Sequence, residues 1–232
     1  MRILDESRYY ALVASLPALP ELERAEQTPI NAIKLRTRLA DLTAPDRNLL
    51  DRVESLLHWE RLRMDTPDAA LIAAASAAMP TLAARGLDDL VRDRLELRTV
   101  IAALRRKQAG QAPPGPGEVW GFGRHRDLIR RSWDRSDLGL SHVFPAVRDI
   151  AGLIRDGDPD GLERFLLVHV WRALARAGEG HYFDFRAVVI YVLRWNILDR
   201  WLSYDGAAAA ERFELLCNDA LTGISLEMGA IR

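Results

Sequence analysis

DFRAVVIYVLRWNILDRW, residues 184–201, can be read as a membrane span, a ligand wall or the centre of a core. A helix crossing a bilayer needs ~20 consecutive apolar residues. Arg186, Arg194, Asn196, Asp199 and Arg200 interrupt this run, and charges so near the middle of a span are costly. The membrane reading fails. Wound as a helix, Val188, Val189, Ile190, Tyr191, Val192 and Leu193 cover every side of the first turns, the mark of a buried central helix. Further on, Asn196, Asp199, Arg200 and Ser203 fall at i, i+3, i+4 and i+7. They make one polar stripe and leave Trp195, Leu198, Trp201 and Leu202 inward. The preceding stretch carries Leu162, Phe165, Leu166, His169, Val170, Ala173, Leu174 and Ala177 as an uninterrupted stripe. The two helices are expected to pack together as the heart of the C-terminal half.

Outward from this pair, helix signals dominate and strand alternation is nearly absent. Residues 7–16 read as a short helix or a strand, stopped by Pro17. Thr28-Pro29 reads as an N-cap with proline at the first helical position, opening a helix to about Leu42. Thr43-Ala44-Pro45-Asp46 repeats the signal, with Leu49, Val53, Leu56 and Leu57 as its apolar stripe. Thr66-Pro67-Asp68 begins an alanine-rich helix that Pro80 and Gly86 interrupt, and Asp88 to Gln108 is the next strong helix. The segment AGQAPPGPGE, 109–118, excludes helix and central strand. It is either a linker or an exposed loop, and it sets off an expected N-terminal lobe, 1–108, from a C-terminal lobe, 119–232. In the second lobe Pro145 starts a helix to about Arg155, Asp158-Pro159 one to about Ala177, and Asp184 caps the helix quoted above. A last helix is expected over roughly 207–221. The fold class is all-α, a helical bundle in two lobes.

Composition bounds the function. The 232 residues carry a formal net charge of -1, so nothing draws the chain as a whole toward nucleic acid or an acidic membrane. Lys34 and Lys107 are the only lysines. With arginine supplying nearly all positive charge, an arginine cluster is weak evidence for phosphate binding. Cys217 is the single cysteine, which excludes an intramolecular disulfide and a cysteine metal cluster. The acidic N-terminus lacks the apolar run of a signal peptide, and a cytoplasmic location is expected.

No chemical motif announces an activity. His58, His125, His142, His169 and His181 show no zinc-ligand spacing. His169, on an apolar face, reads as a core histidine. Gly121-Phe122-Gly123 lacks the third glycine and the preceding strand of a phosphate loop. Catalytic, cofactor and metal residues are accordingly assigned to none. The densest basic patch is Arg124, Arg126, Arg130, Arg131 and Arg135 around Trp133, diluted by Asp127, Asp134 and Asp137. Arginine with tryptophan suits a protein contact better than nucleic acid here. Arg194, a charge among apolar neighbours, reads as half of a salt bridge or as a contact in a cleft. Arg124, Arg130, Arg131, Trp133, Arg135 and Arg194 are the partner-contact candidates.

Three stretches carry a family resemblance: YYALVASLP at 9–17, IRRSWDRSDLGLSHVFP at 129–145 and FDFRAVVIYVLRWNILDRWL at 183–202. Together they resemble a bacterial family encoded beside V-type ATPase genes. That family looks like a shortened relative of the V-type ATPase subunit called C in prokaryotes and d in eukaryotes. ELRTVIAALRRKQAG at 96–110 and the 186–201 helix are similar to that subunit's recurrent helices. The resemblance implies an all-helical, non-enzymatic coupling component without a cofactor. Its partners would be the rotor-shaft subunits and the membrane proteolipid ring. It would lie at the cytoplasmic side of the inner membrane, held there through those partners without a transmembrane segment of its own. A helical adaptor for an unrelated protein is the alternative. A helical enzyme acting on an anion through Arg194 and the 124–135 arginines is a third reading.

Overall fold

The computed structural model describes residues 3–57 and 68–203. Every regular element among them is helical: α1 (Ile3–Ser15), a 3-10 turn (Leu22–Arg24), α2 (Ala32–Leu39), α3 (Ala44–Leu57), α4 (Asp68–Ala83), α5 (Asp88–Gln108), α6 (Arg126–Arg131), α7 (Val147–Arg155), α8 (Pro159–Ala177) and α9 (185–203). No described helix is long and apolar enough to cross a membrane. The helix expected over 207–221, with Cys217, lies outside the described residues, as do His58, Thr66 and Pro67.

α5 is the hub. Its apolar face buries Leu90, Leu97, Val100 and Leu104, and it packs on α3, α4, α6, α7 and α8. α8 and α9 form the expected antiparallel pair. Arg186 Nε at the start of α9 donates to the Ala177 carbonyl at the end of α8 (3.2 Å), and Arg200 near the far end pairs with Glu163 (2.7 Å). Val188, Val189 and Leu198 on α9 are fully buried. Asp184 caps α9 by accepting from the Ala187 N–H (2.8 Å), and Asp158 caps α8 by accepting from Gly161 (2.8 Å). The 109–118 segment is non-helical, and Arg106 ties it down through Glu118 (2.6 Å) and the Ala112 carbonyl (3.0 Å). Residues on both sides of this loop, from Tyr9 to Leu198, belong to one core cluster.

Two boundaries differ from expectation. α2 starts at Ala32, not after Thr28-Pro29, because Asn31 is the cap: its side chain accepts from the Lys34 N–H (2.9 Å). The Ile30 carbonyl meanwhile accepts from the Trp195 indole (2.8 Å), which keeps the segment before α2 out of the helix. α4 runs through Pro80 to Ala83. The proline removes one helical hydrogen bond a turn from the end, where a break costs least, and Leu82 just beyond it is fully buried. Gly86, at φ +62, then closes α4. The Gly86 N–H reaches the Ala83 carbonyl (3.1 Å) and the Leu87 N–H reaches Leu82 (2.9 Å), the two bonds of a Schellman end.

A buried polar network joins α1, α3 and the end of α4. Asp46, 3% exposed, accepts from the Tyr9 hydroxyl (2.6 Å) and the Thr43 hydroxyl (2.7 Å) and pairs with Arg85 (2.7 Å). Burial opposes ionisation of Asp46, but those two hydrogen bonds and the Arg85 charge outweigh it and hold the carboxyl below its usual range. Burial, then the hydrogen bond and charge of Asp46, push the Tyr9 phenol up to about 12. Arg85 also lies 4.9 Å over the Phe185 ring of α9.

Candidate functional site

The polar stripe read along α9 does not face open solvent throughout. Asn196, Asp199, Arg200 and Ser203 line an open cavity of about 560 Å³ together with residues of α5, α8, the rest of α9 and the 140–145 segment. The floor is apolar, with Leu97, Leu140, Phe144, Val170, Leu174 and Ile197. The volume lies within the ~300–1,000 Å³ span of small-molecule sites. Helix periodicity explains how one chain builds both parts. On α8, His169 and Arg176 lie seven residues apart on the stripe that also carries Val170 and Ala173. On α5, Arg94 reaches the same space from beside Leu90 and Leu97.

Three nitrogen groups therefore meet over an apolar floor. Burial, followed by the charges of Arg176 and Arg94, lowers the basicity of His169, and neutral imidazole is the dominant form at pH 7. Its ring stands edge-on to Phe144 (5.5 Å) and stacks on Phe165 (6.1 Å). Burial alone brings the Arg94 guanidinium down to about 9, which leaves it charged at neutral pH. Three of the lining carboxylates are committed to other partners. Asp89 holds Arg186 (2.6 Å), while Glu96 (2.9 Å) and Asp93 (3.5 Å) hold Arg124.

The residues singled out from sequence are dispersed. Arg124 is bound to Glu96 by its backbone N–H (2.8 Å) and its side chain. Arg130 pairs with Asp127 (3.7 Å) and Arg135 with Asp137 (3.4 Å), and Arg131 is exposed. Trp133 is 8% exposed, with its indole N–H on the Gln111 carbonyl (3.3 Å). It is a core residue, so the basic patch has no tryptophan to offer a partner. Lys107 anchors this loop by donating to the Trp133 and Arg135 carbonyls (2.6 Å each). Arg194 meets a ring: its guanidinium lies 4.0 Å from the centroid of Trp171, and its buried Nε has no hydrogen-bond partner. The Gly121-Phe122-Gly123 loop is a docking device for α5. The Phe122 N–H donates to Thr99 Oγ1 (2.8 Å), and a Cβ on Gly121 would stand 2.4 Å from Thr99 Cγ2.

A second surface feature went unread in the sequence. Tyr10 on α1 and Phe183 before α9 face each other, centroids 4.6 Å apart, and Tyr182 precedes Phe183 in the chain. The three are 56%, 41% and 69% exposed. Exposed aromatics in contact are costly to leave in water and typical of contact surfaces. Local periodicity could not find them, because 173 positions separate Tyr10 from Phe183 and only the packing of α9 on α1 brings them together. Comparison of the chain with protein-family models, curated proteins and solved structures gave no match.

Proposed function

We propose that the protein is a non-catalytic central-stalk component of a bacterial V-type ATPase, coupling the soluble rotor shaft to the membrane proteolipid ring. The observation that carries this reading is the Tyr10–Phe183 contact. Tyr10 belongs to the first of the three stretches resembling the V-type ATPase-associated family and Phe183 to the third. They meet in an exposed aromatic patch of the kind a protein partner covers. The same stretches supply Leu12, Leu138 and Val189 to one core. A close-packed body of that kind transmits strain from one face to another, as torque coupling requires.

The shaft would meet a surface and not the cavity. A volume of about 560 Å³ holds only ~7 Å of a helix ~10 Å wide, far less than a rotor shaft. The protein would then sit at the cytoplasmic side of the inner membrane, held through its partners. The test is a pull-down of the tagged chain from its native cells in mild detergent, beside a Tyr10→Ser/Phe183→Ser variant. Rotor-shaft and proteolipid subunits are expected in near-equal amount with the parent chain and depleted with the variant. Elution alone, or with unrelated proteins, overturns the reading. The latter result would leave the adaptor alternative.

A further inference from the structure

We propose that the open groove between α5, α8 and α9 is covered by the chain's own residues 207–221, which turn back along α9 and lay Phe213, Leu216 and Cys217 on its apolar floor. Leu97, Leu140, Phe144, Val170 and Ile197 line this groove, and Val143 at its edge is 57% exposed. An open apolar face of this kind marks a contact surface. Where the chain goes next names the occupant. Ser203, the last described residue of α9, lines the same groove. Tyr204, Asp205 and Gly206 follow. Asp-Gly is a turn signal, and a connection this short makes antiparallel neighbours of the helices it joins. In the sequence of 207–221, Phe213, Leu216, Cys217, Ala220 and Leu221 fall at i, i+3, i+4, i+7 and i+8. That is one apolar helix stripe, with Glu211, Asn218 and Asp219 on the other side. Leu215 is the one large apolar residue outside it. The lengths agree as well. From Leu193 to Ser203 the groove follows α9 for about 15 Å. With Ala207 starting level with Ser203, an antiparallel helix brings Phe213 level with Ile197 and Cys217 level with Leu193. A cavity of about 560 Å³ takes side chains from one face of a helix and not its backbone, so the polar face stays in water.

Cys217, the single cysteine, is a built-in reporter. In the purified full chain its reaction with a thiol reagent is expected to run about tenfold or more slower than in urea. Phe213→Asp, which puts a charge on the stripe, is expected to remove that protection. Ala173→Cys on the groove wall and Val143→Cys at its exposed edge are each expected to join Cys217 through a short bismaleimide, giving a cross-link at monomer mass. Ile33→Cys, on a position 77% exposed on α2, is expected not to join it. α2 lies on the other side of α9, where Trp195 packs with Ile30 and Leu35. Melting curves establish that each variant is folded. Should Ala173→Cys fail to fold, Val143→Cys decides alone. Cross-links only at dimer mass overturn the assignment in favour of a second copy of the chain. A Cys217 as reactive in the folded chain as in urea, a rate indifferent to Phe213→Asp, or joining to position 33 and to neither groove position overturns it as well and leaves the groove to an outside occupant.

Discussion

Replacing Asp46 by alanine removes the centre of the Tyr9–Thr43–Arg85 network, and the structure sets the size of the loss. Three charge-assisted interactions go, at 2.6, 2.7 and 2.7 Å. Each is worth ~1.5–3 kcal/mol, but they share one carboxylate and do not add. Breaking a fully buried ion pair costs ~3–5 kcal/mol because the remaining charge is stranded. Here Arg85 is 36% exposed and recovers water, so that part is smaller. Tyr9 is buried, and its hydroxyl proton loses its acceptor at ~1–3 kcal/mol. The sum expected for Asp46→Ala is ~3 kcal/mol, a lowering of the melting temperature by roughly 6–12 °C for a chain this long. Asp46→Asn keeps a carbonyl for one hydroxyl and is expected to cost about half as much. Urea unfolding followed by tryptophan fluorescence measures both. An Arg85→Met cycle should give a coupling of ~1–3 kcal/mol. A loss under ~1 kcal/mol for Asp46→Ala, or no coupling to Arg85, would refute the view that this network pins α1 to α3 and α4.

Two further outcomes follow from groups around the site. His169 is less basic in the folded chain than in the unfolded one, through burial and then the charges of Arg176 on α8 and Arg94 on α5. As pH falls through ~6.5, the unfolded chain takes up a proton that the folded chain refuses. Stability present above that pH is therefore lost below it. Urea midpoints at pH 7.5 and 5.5 should fall less for His169→Gln than for the parent, and identical slopes would contradict the placement of His169. Arg194→Met should leave stability within ~1 kcal/mol of the parent: the ring contact is worth ~0.5–2 kcal/mol, and the partnerless Nε offsets it. A loss of ~3 kcal/mol or more in the same unfolding assay would mean that Arg194 is held by a buried carboxylate after all.

What the sequence disclosed was whatever local chemistry determines. α5 and α8 were legible at both ends because Asp158, Pro159 and the Arg105-Arg106-Lys107 run are local signals and the apolar stripes are continuous. The start of α2 was not, since the Ile30 carbonyl is claimed by Trp195 from 165 positions away. The candidate site shows the same division. The polar stripe on α9 and the odd placement of His169 on α8 were visible as patterns. That they face each other across a cavity depends on α5 bringing Arg94 between them, which no periodicity encodes. Trp133 misled for the opposite reason: flanking arginines suggested a surface, while the fold buries the ring and sets its indole N–H on the Gln111 carbonyl.

Arg186 has a consequence for how the molecule opens. It grips Asp89 at the start of α5 through two bonds (2.7 and 2.6 Å), the Gly86 carbonyl behind α4 and the Ala177 carbonyl closing α8. The ends of four helices thus meet at one side chain. In a chain whose parts fluctuate independently, a terminal helix frays first and its amides exchange with solvent early. Here the first turn of α9 cannot lift without freeing α5 as well. Amide protons at 188–193 should therefore exchange only with the opening of the whole body, and α9, although last among the described helices, behaves as the keystone of the fold.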